Sequence, residues 1–195
     1  RGRVAVTGTE AGSIAAEIGT KVALKVVSPE ISHKTDVGGV LLDVAPDDAA
    51  AAFGRILSQV GKAAPAARIE GVLVQRMVPA GREAIVGGSR DPAFGPMLMF
   101  GLGGTLVEVF QDIVFRMPPI SRRQAAEMIG GIRAAKLFGA FRGAPPIDHR
   151  ALEDALLRAG QLLVDHPEIV EMDVNPLMVS PDGVVAADAR IVLAG

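Results

Sequence analysis

The chain has 195 residues, 49% hydrophobic and 22% charged, with 20 basic and 22 acidic side chains and a formal net charge of -2. That is enough for one domain with a sizeable core, or for two small lobes, and a near-balanced charge without a Lys/Arg run argues against a nucleic-acid partner. The absence of cysteine excludes disulfides, thiolate zinc sites and a cysteine nucleophile, and with no apolar run near 20 residues and no signal-peptide pattern the expectation is a soluble cytoplasmic protein, off the membrane.

The first residue is Arg1 rather than methionine, which suggests a trimmed domain or a fragment of a longer protein. Val4-Ala5-Val6 suits a short strand, and residues 13–19 a short helix capped by Ser13 and closed by Gly19. Residues 22–27, VALKVV, form a strand of small and β-branched residues broken by one charge, Lys25. A lysine there needs an anion or an interface, unless it snorkels to water from an edge strand. Pro29 fixes the exit from this strand. The loop that follows crowds Ser28, Ser32, His33, Lys34, Thr35 and Asp36 ahead of Gly38-Gly39, whose backbone is expected to turn with free N–H groups, as chains do around phosphate oxygens. Residues 40–44 return as a strand. Pro46-Asp47 then opens a helix with Ala49, Phe53, Ile56, Leu57 and Val60 on one face. Pro65 marks a linker, residues 69–75 a further strand, and the break at Ala80-Gly81 follows Arg76-Met77-Val78-Pro79. The expected division is an N-terminal lobe, residues 1–78, and a C-terminal lobe, residues 79–195.

The second lobe opens with a strand at residues 83–88, turns at Asp91-Pro92 and Phe94-Gly95-Pro96, and a strand at 97–100. Short strands with tight turns predict an antiparallel sheet. After Gly101-Leu102-Gly103-Gly104, residues 106–110 and 113–117 continue the lobe until Pro118-Pro119 stops it. Ser121 with Gln124 is a capping-box start for a helix through Leu137 with Ala125, Met128, Ile129, Ile132 and Ala135 inward. A second helix opens at Asp148 and turns Leu152, Leu156, Ala159 and Leu163 inward. Helices against an antiparallel sheet predict an α+β fold.

The closing segment, residues 169–192, reads as a hairpin around Ser180-Pro181-Asp182-Gly183. A two-residue turn places Asn175 opposite Asp188 and Asp173 opposite Arg190 on one face. A type I turn with a glycine bulge shifts the pairing by one and moves Asp188 opposite Pro176. Either register brings an Asn and an Asp oxygen within reach of one hard cation, the chemistry Mg²⁺ takes when phosphate oxygens and waters complete its shell. The plain alternative is a polar cross-strand pair facing water. Glu83, on an otherwise apolar strand, is an edge charge or a group aimed at a ligand. Gly101 to Gly104 lacks the dinucleotide fingerprint, His33, His149 and His166 are too scattered for a zinc site, and there is neither a P-loop nor a nucleophile elbow.

Taken together, VALKVVSPEISHKTDVGGV, VLVQRMVPAGREAIVGGSRDPAFGP, FGLGGTLVE and EMDVNPLMV with AADAR resemble the ATP-grasp domain of NDP-forming acyl-CoA synthetases. That group includes ADP-forming acetate–CoA ligase and is related to the succinyl-CoA synthetase β chain. The resemblance runs collinearly over nearly the whole chain, without the helix that usually precedes the lysine strand and without the CoA-binding and ligase domains. It implies a two-lobed fold with the nucleotide in the cleft between lobes, ATP and Mg²⁺ as cofactors, and a ligase activity for which this chain is only the ATP-grasp part. Lys25 is then expected on the α/β-phosphates, with Ser32, Lys34, Gly38 and Gly39 in the loop that closes over them. Gln75, Arg76, Met77 and Val78 are expected along the adenine, Glu83 at the ribose or the phosphate–metal edge, and Asn175 and Asp188 on the metal with Asp173 in support. His33 matches a loop histidine implicated as a phosphoryl relay, a solvated loop histidine being its alternative. The implied partners are the CoA-binding and ligase domains, on the same chain or a separate subunit, with a carboxylic acid and CoA as substrates. A second reading is a regulatory nucleotide-binding domain fused to a protein lysine acetyltransferase.

Overall fold

In the computed structural model, which describes residues 2–31, 33–104 and 111–194, the first helix starts earlier than Ser13. Helix α1 (Gly8–Ile18) is capped by Thr7, whose hydroxyl accepts the Glu10 N–H, while the Glu10 carboxylate accepts the N–H groups of Val6 and Thr7. This reciprocal Thr-x-x-Glu box satisfies more of the free donors at a helix start than a lone serine does. Ser13 lies inside the helix and donates to the Thr9 carbonyl at 3.1 Å. Gly19, at φ 69°, ends the helix as expected, and α1 leads directly into the lysine strand at Val22–Val27, so a helix does precede that strand, contrary to expectation.

The chain divides into two units, Arg1–Met77 and Val78–Gly195. In the first, β1 (Gly2–Ala5), β2 (Val22–Val27), β3 (Val40–Val44) and β4 (Gly71–Arg76) pair antiparallel in the order β1-β4-β2-β3. A 3₁₀ turn at Pro46–Asp48 leads into α2 (Ala49–Ala63). Helices α1 and α2 close the core over one face of the sheet, with Ile14, Phe53, Ile56 and Val60 packed in one cluster with Leu24, Val26, Val72 and Val74. Side chains alternate along a strand, so seating Leu24 and Val26 against the helices sends Ala23 and Lys25 to the other face.

The second unit is built on β5 (Arg82–Asp91), β6 (Gly95–Leu102), β7 (Ile113–Arg116), β8 (Ile169–Ser180), β9 (Gly183–Ala186) and β10 (Arg190–Leu193). These form an antiparallel sheet in the order β10-β8-β5-β6-β7, with β9 on the later half of β8. The β5–β6 turn is tighter than expected: Asp91 accepts the N–H groups of Ala93 and Phe94 at 2.7 and 2.9 Å, and Gly95 and Pro96 already belong to β6. The expected element at 106–110 lies outside the described residues.

Helix α3 (Arg122–Gly131) has the expected Ser121–Gln124 box but stops well before Leu137. A 3₁₀ turn at Arg133–Phe138 follows, because Asp112 accepts the N–H groups of Arg133 and Ala134, both at 2.7 Å, and so caps a new start. Helix α4 (His149–Asp165) begins at the Asp148 cap as expected, and Arg90 donates to the carbonyls of Leu163 and His166 at its end. The core joins Leu98, Phe100, Met128, Phe138, Leu152, Leu156 and Leu163, with Phe100 and Phe138 at 5.9 Å between ring centroids. The architecture is α+β.

Candidate functional site

Lys25 sits mid-strand in β2, opposite Val40 on one side and Leu73 on the other. It is only 6% exposed, the one buried polar or charged side chain among the described residues. Gln75 is paired with Ala23 and shares the face of Lys25. Arg76 instead turns toward the helices, where its guanidinium donates to the Ile18 carbonyl at 3.5 Å. The Met77 N–H donates to the Lys21 carbonyl at 3.2 Å, and its sulfur accepts the Asp43 N–H at 3.5 Å. Val78, half-buried, opens the second unit.

The loop after β2 is tied down by its own backbone. Ser32 lies outside the described residues, His33 is exposed and Lys34 half-buried. The Asp36 N–H donates to the His33 carbonyl at 3.3 Å, the Gly38 N–H to Thr35 at 3.1 Å and the Gly39 N–H to Lys34 at 2.8 Å. The amides of both glycines are therefore engaged inside the loop, contrary to the expectation of free N–H groups. The glycines serve close approach instead. Gly38 turns the chain at φ 67°, and a Cβ on Gly39 would stand 2.5 Å from Val26 Cγ1.

In the second unit the candidates share the sheet face away from the helices. Ala84 and Val86 point into the core, so Glu83 and Ile85 face the other way. Asp173 pairs with Gly87 on that same face, and Asn175 follows Val174, which packs on the core side. The β5–β8 ladder shifts between Ala84 and Val86, beside the cis Asn175–Pro176 peptide, where proline has no N–H to give the ladder.

The hairpin takes the two-residue turn. Ser180 pairs with Gly183 and Leu177 with Ala186, the Ala187 N–H donates to the Pro176 carbonyl at 3.0 Å, and Arg190 pairs with Asp173. Between those fixed pairs Asp188 falls opposite Asn175. The return arm is split into β9 and β10, with Asp188 in the break, where its carboxylate accepts the Ala189 N–H at 3.1 Å. Arg190, opposite Asp173 by backbone, donates to Glu171 at 2.8 Å.

No group of three or more His, Cys, Asp or Glu that could hold a metal stands together among the described residues. Asn175, Asp188 and Asp173 offer instead a small set of hard oxygens, which fits a Mg²⁺ whose shell is finished by phosphate and water. What the sequence reading missed is that the turn at Gly103-Gly104 lies against Glu83: the Gly103 N–H donates to the Glu83 carbonyl at 2.8 Å. The β5–β6 register carried that signal, since it sets the end of one strand beside the start of the other.

A buried lysine on a four-stranded unit and an Asn/Asp hairpin on a helix-backed sheet agree with what the resemblance to an ATP-grasp domain implies. The chain belongs to the ATP-grasp domain family, whose profile matches residues 1–193. It is 53% identical over 184 residues to acetate–CoA ligase [ADP-forming] I of Archaeoglobus fulgidus, covering 94% of this chain but only 27% of that protein. With the beta subunit of acetate–CoA ligase [ADP-forming] I of Pyrococcus furiosus it shares 43% identity over 192 residues, 98% of this chain and 83% of the subunit. The dinucleotide forming acetyl-coenzyme A synthetase 1 of Ca. Korarchaeum cryptofilum, in complex with coenzyme A and Ca-AMPCP, superposes with a TM-score of 0.96 at 46% identity, over 100% of this chain and 85% of that one. A second structure of that enzyme, with coenzyme A and Mg-AMPPCP, has its phosphohistidine segment pointing towards the nucleotide binding site; there the TM-score is 0.84 at 42% identity, over 100% and 84% of the two chains. Among the described residues no helix is long and apolar enough to cross a membrane.

Proposed function

We propose that this chain is the nucleotide-binding, phosphoryl-transferring part of an ADP-forming acid–CoA ligase. The observation that carries the reading is the near full-length likeness to a ligase beta subunit. It is supported by the buried lysine and by the register that sets Asp188 opposite Asn175. Lys25, held in β2 away from water, neutralises the α/β-phosphates of ATP, since a shielded ammonium acts on phosphate more strongly than a solvated one. Asn175 and Asp188, with Asp173 beside them, would hold Mg²⁺, which when bound would supply charge neutralisation at the phosphate oxygens. Glu83 accepts from the ribose or the metal-bound shell, and the segment Gln75 to Val78 lies along the adenine. Ser32, His33 and Lys34 are the loop groups that meet the phosphates on this reading.

His33 relays the phosphoryl group: its imidazole nitrogen forms the P–N bond as the bond from the γ-phosphorus to the bridging oxygen breaks and ADP leaves. The exposed position of His33 supports that role. The acceptor is a histidine on the CoA-binding and ligase domains, carried on the same chain or a separate subunit, from which the phosphoryl group passes to a carboxylic acid and CoA then displaces phosphate to give the thioester. Cytoplasmic placement belongs to the same reading.

The test is a melting curve with ATP, with and without Mg²⁺, on the wild type, Lys25→Met and Asp188→Asn. A Mg²⁺-dependent rise in Tm that both variants lose is expected. Its absence from the wild type overturns the proposal. Transfer from γ-labelled ATP tests the relay separately, with acid-labile label expected on the wild type and missing from His33→Ala; label that persists in the variant removes His33 from the path.

A further inference from the structure

We infer that Gly104 is a positioning residue for the nucleotide site, giving the Glu83 carboxylate its place by leaving empty the space that a side chain would fill. This rests on the role given to Glu83 above. The turn is set flat against the strand that carries Glu83. A Cβ on Gly103 would stand 2.8 Å from the Glu83 carbonyl carbon and 2.9 Å from the Ala84 nitrogen, and the Gly103 N–H is bonded to the Glu83 carbonyl at 2.8 Å. Gly104 then turns at φ 87°, and a Cβ there would be 2.8 Å from Glu83 Oε2. The carboxylate thus rests on the bare backbone of Gly104. It is half-buried, and among the described residues it takes no hydrogen bond or ion pair. A carboxylate kept partly from water needs donors to replace those it has lost, which ligand hydroxyls or metal-bound water supply. Any residue other than glycine at 104 pushes the Glu83 side chain off this position.

The experiment measures the affinity of the whole chain for Mg·ATP by calorimetric titration. Gly104→Asn is the first variant, because asparagine tolerates positive φ but still carries a Cβ, so it tests the collision more than the backbone turn. It is expected to weaken binding roughly tenfold or more, the worth of a hydrogen bond to a charged group. In a Glu83→Ala background the same substitution is expected to have no further effect, since nothing is left to displace. Glu83→Asp draws the carboxylate back by one methylene without touching the turn, and is expected to weaken binding as Gly104→Asn does.

Equal losses from Gly104→Asn with and without the Glu83 side chain overturn the inference, because the turn then acts on its own. Wild-type affinity in Gly104→Asn, in Glu83→Asp or in Glu83→Ala overturns it as well. A wild-type chain that binds no Mg·ATP is a different failure, and removes the nucleotide reading itself.

Discussion

Gly38 and Gly39 show how one residue type carries two meanings. In the sequence the pair reads as a phosphate nest. In the folded chain the amides close the loop on itself, and Gly39 lies so near β2 that a Cβ would be 2.5 Å from Val26 Cγ1 and 2.9 Å from the Lys34 carbonyl oxygen. Gly39→Ala is therefore expected to lower stability by about 1–3 kcal/mol, the range for forcing a methyl into a filled space, seen as a lower urea midpoint. A midpoint unchanged from the wild type means that the loop is not held against β2. The buried charge of Lys25 was legible because five apolar neighbours flank it in the strand. The amide bonding of the loop was not, because hydrogen bonds between residues a few positions apart depend on turn geometry that composition does not fix.

Elements were legible where the deciding contact lies nearby in sequence. The Ser121–Gln124 box, the Asp148 cap and the two-residue turn of the last hairpin all depend on groups within a few positions of one another. The end of α3 was not, because Asp112, twenty-one positions from Arg133, caps the next turn. Its two bonds make a further expectation. Asp112→Ala should cost about 0.5–2 kcal/mol, the usual loss of a capping side chain, measured by chemical denaturation. No loss would mean that the Gly130-Gly131 pair breaks the helix without help. The start of α1 is a different case: its Thr-x-x-Glu signature stood in the sequence, and the reading passed over it for Ser13.

For the molecule as a whole, the α+β class rests on helices packed against sheets whose neighbouring strands all pair antiparallel. Each unit holds its own apolar cluster, one centred on Leu24, Ile56 and Val74, the other on Phe100, Phe138 and Leu156. Separate cores predict separate melting. Scanning calorimetry should show two transitions, with Ile56→Ala lowering one by about 2–5 kcal/mol and Phe138→Ala the other by about 3–5 kcal/mol. A single transition moved equally by both substitutions would show that the units unfold as one.

The six-stranded sheet keeps its helices on one side, and Glu83, Asp173 and Asn175 stand on the other. Neighbouring positions of the same strand thus have different surroundings: one set packs into the apolar core, and the other stands clear of it. On the proposed reading, a duplicate of the gene that lost any of those polar groups would still yield a sound, well-packed protein, but one that no longer holds Mg·ATP.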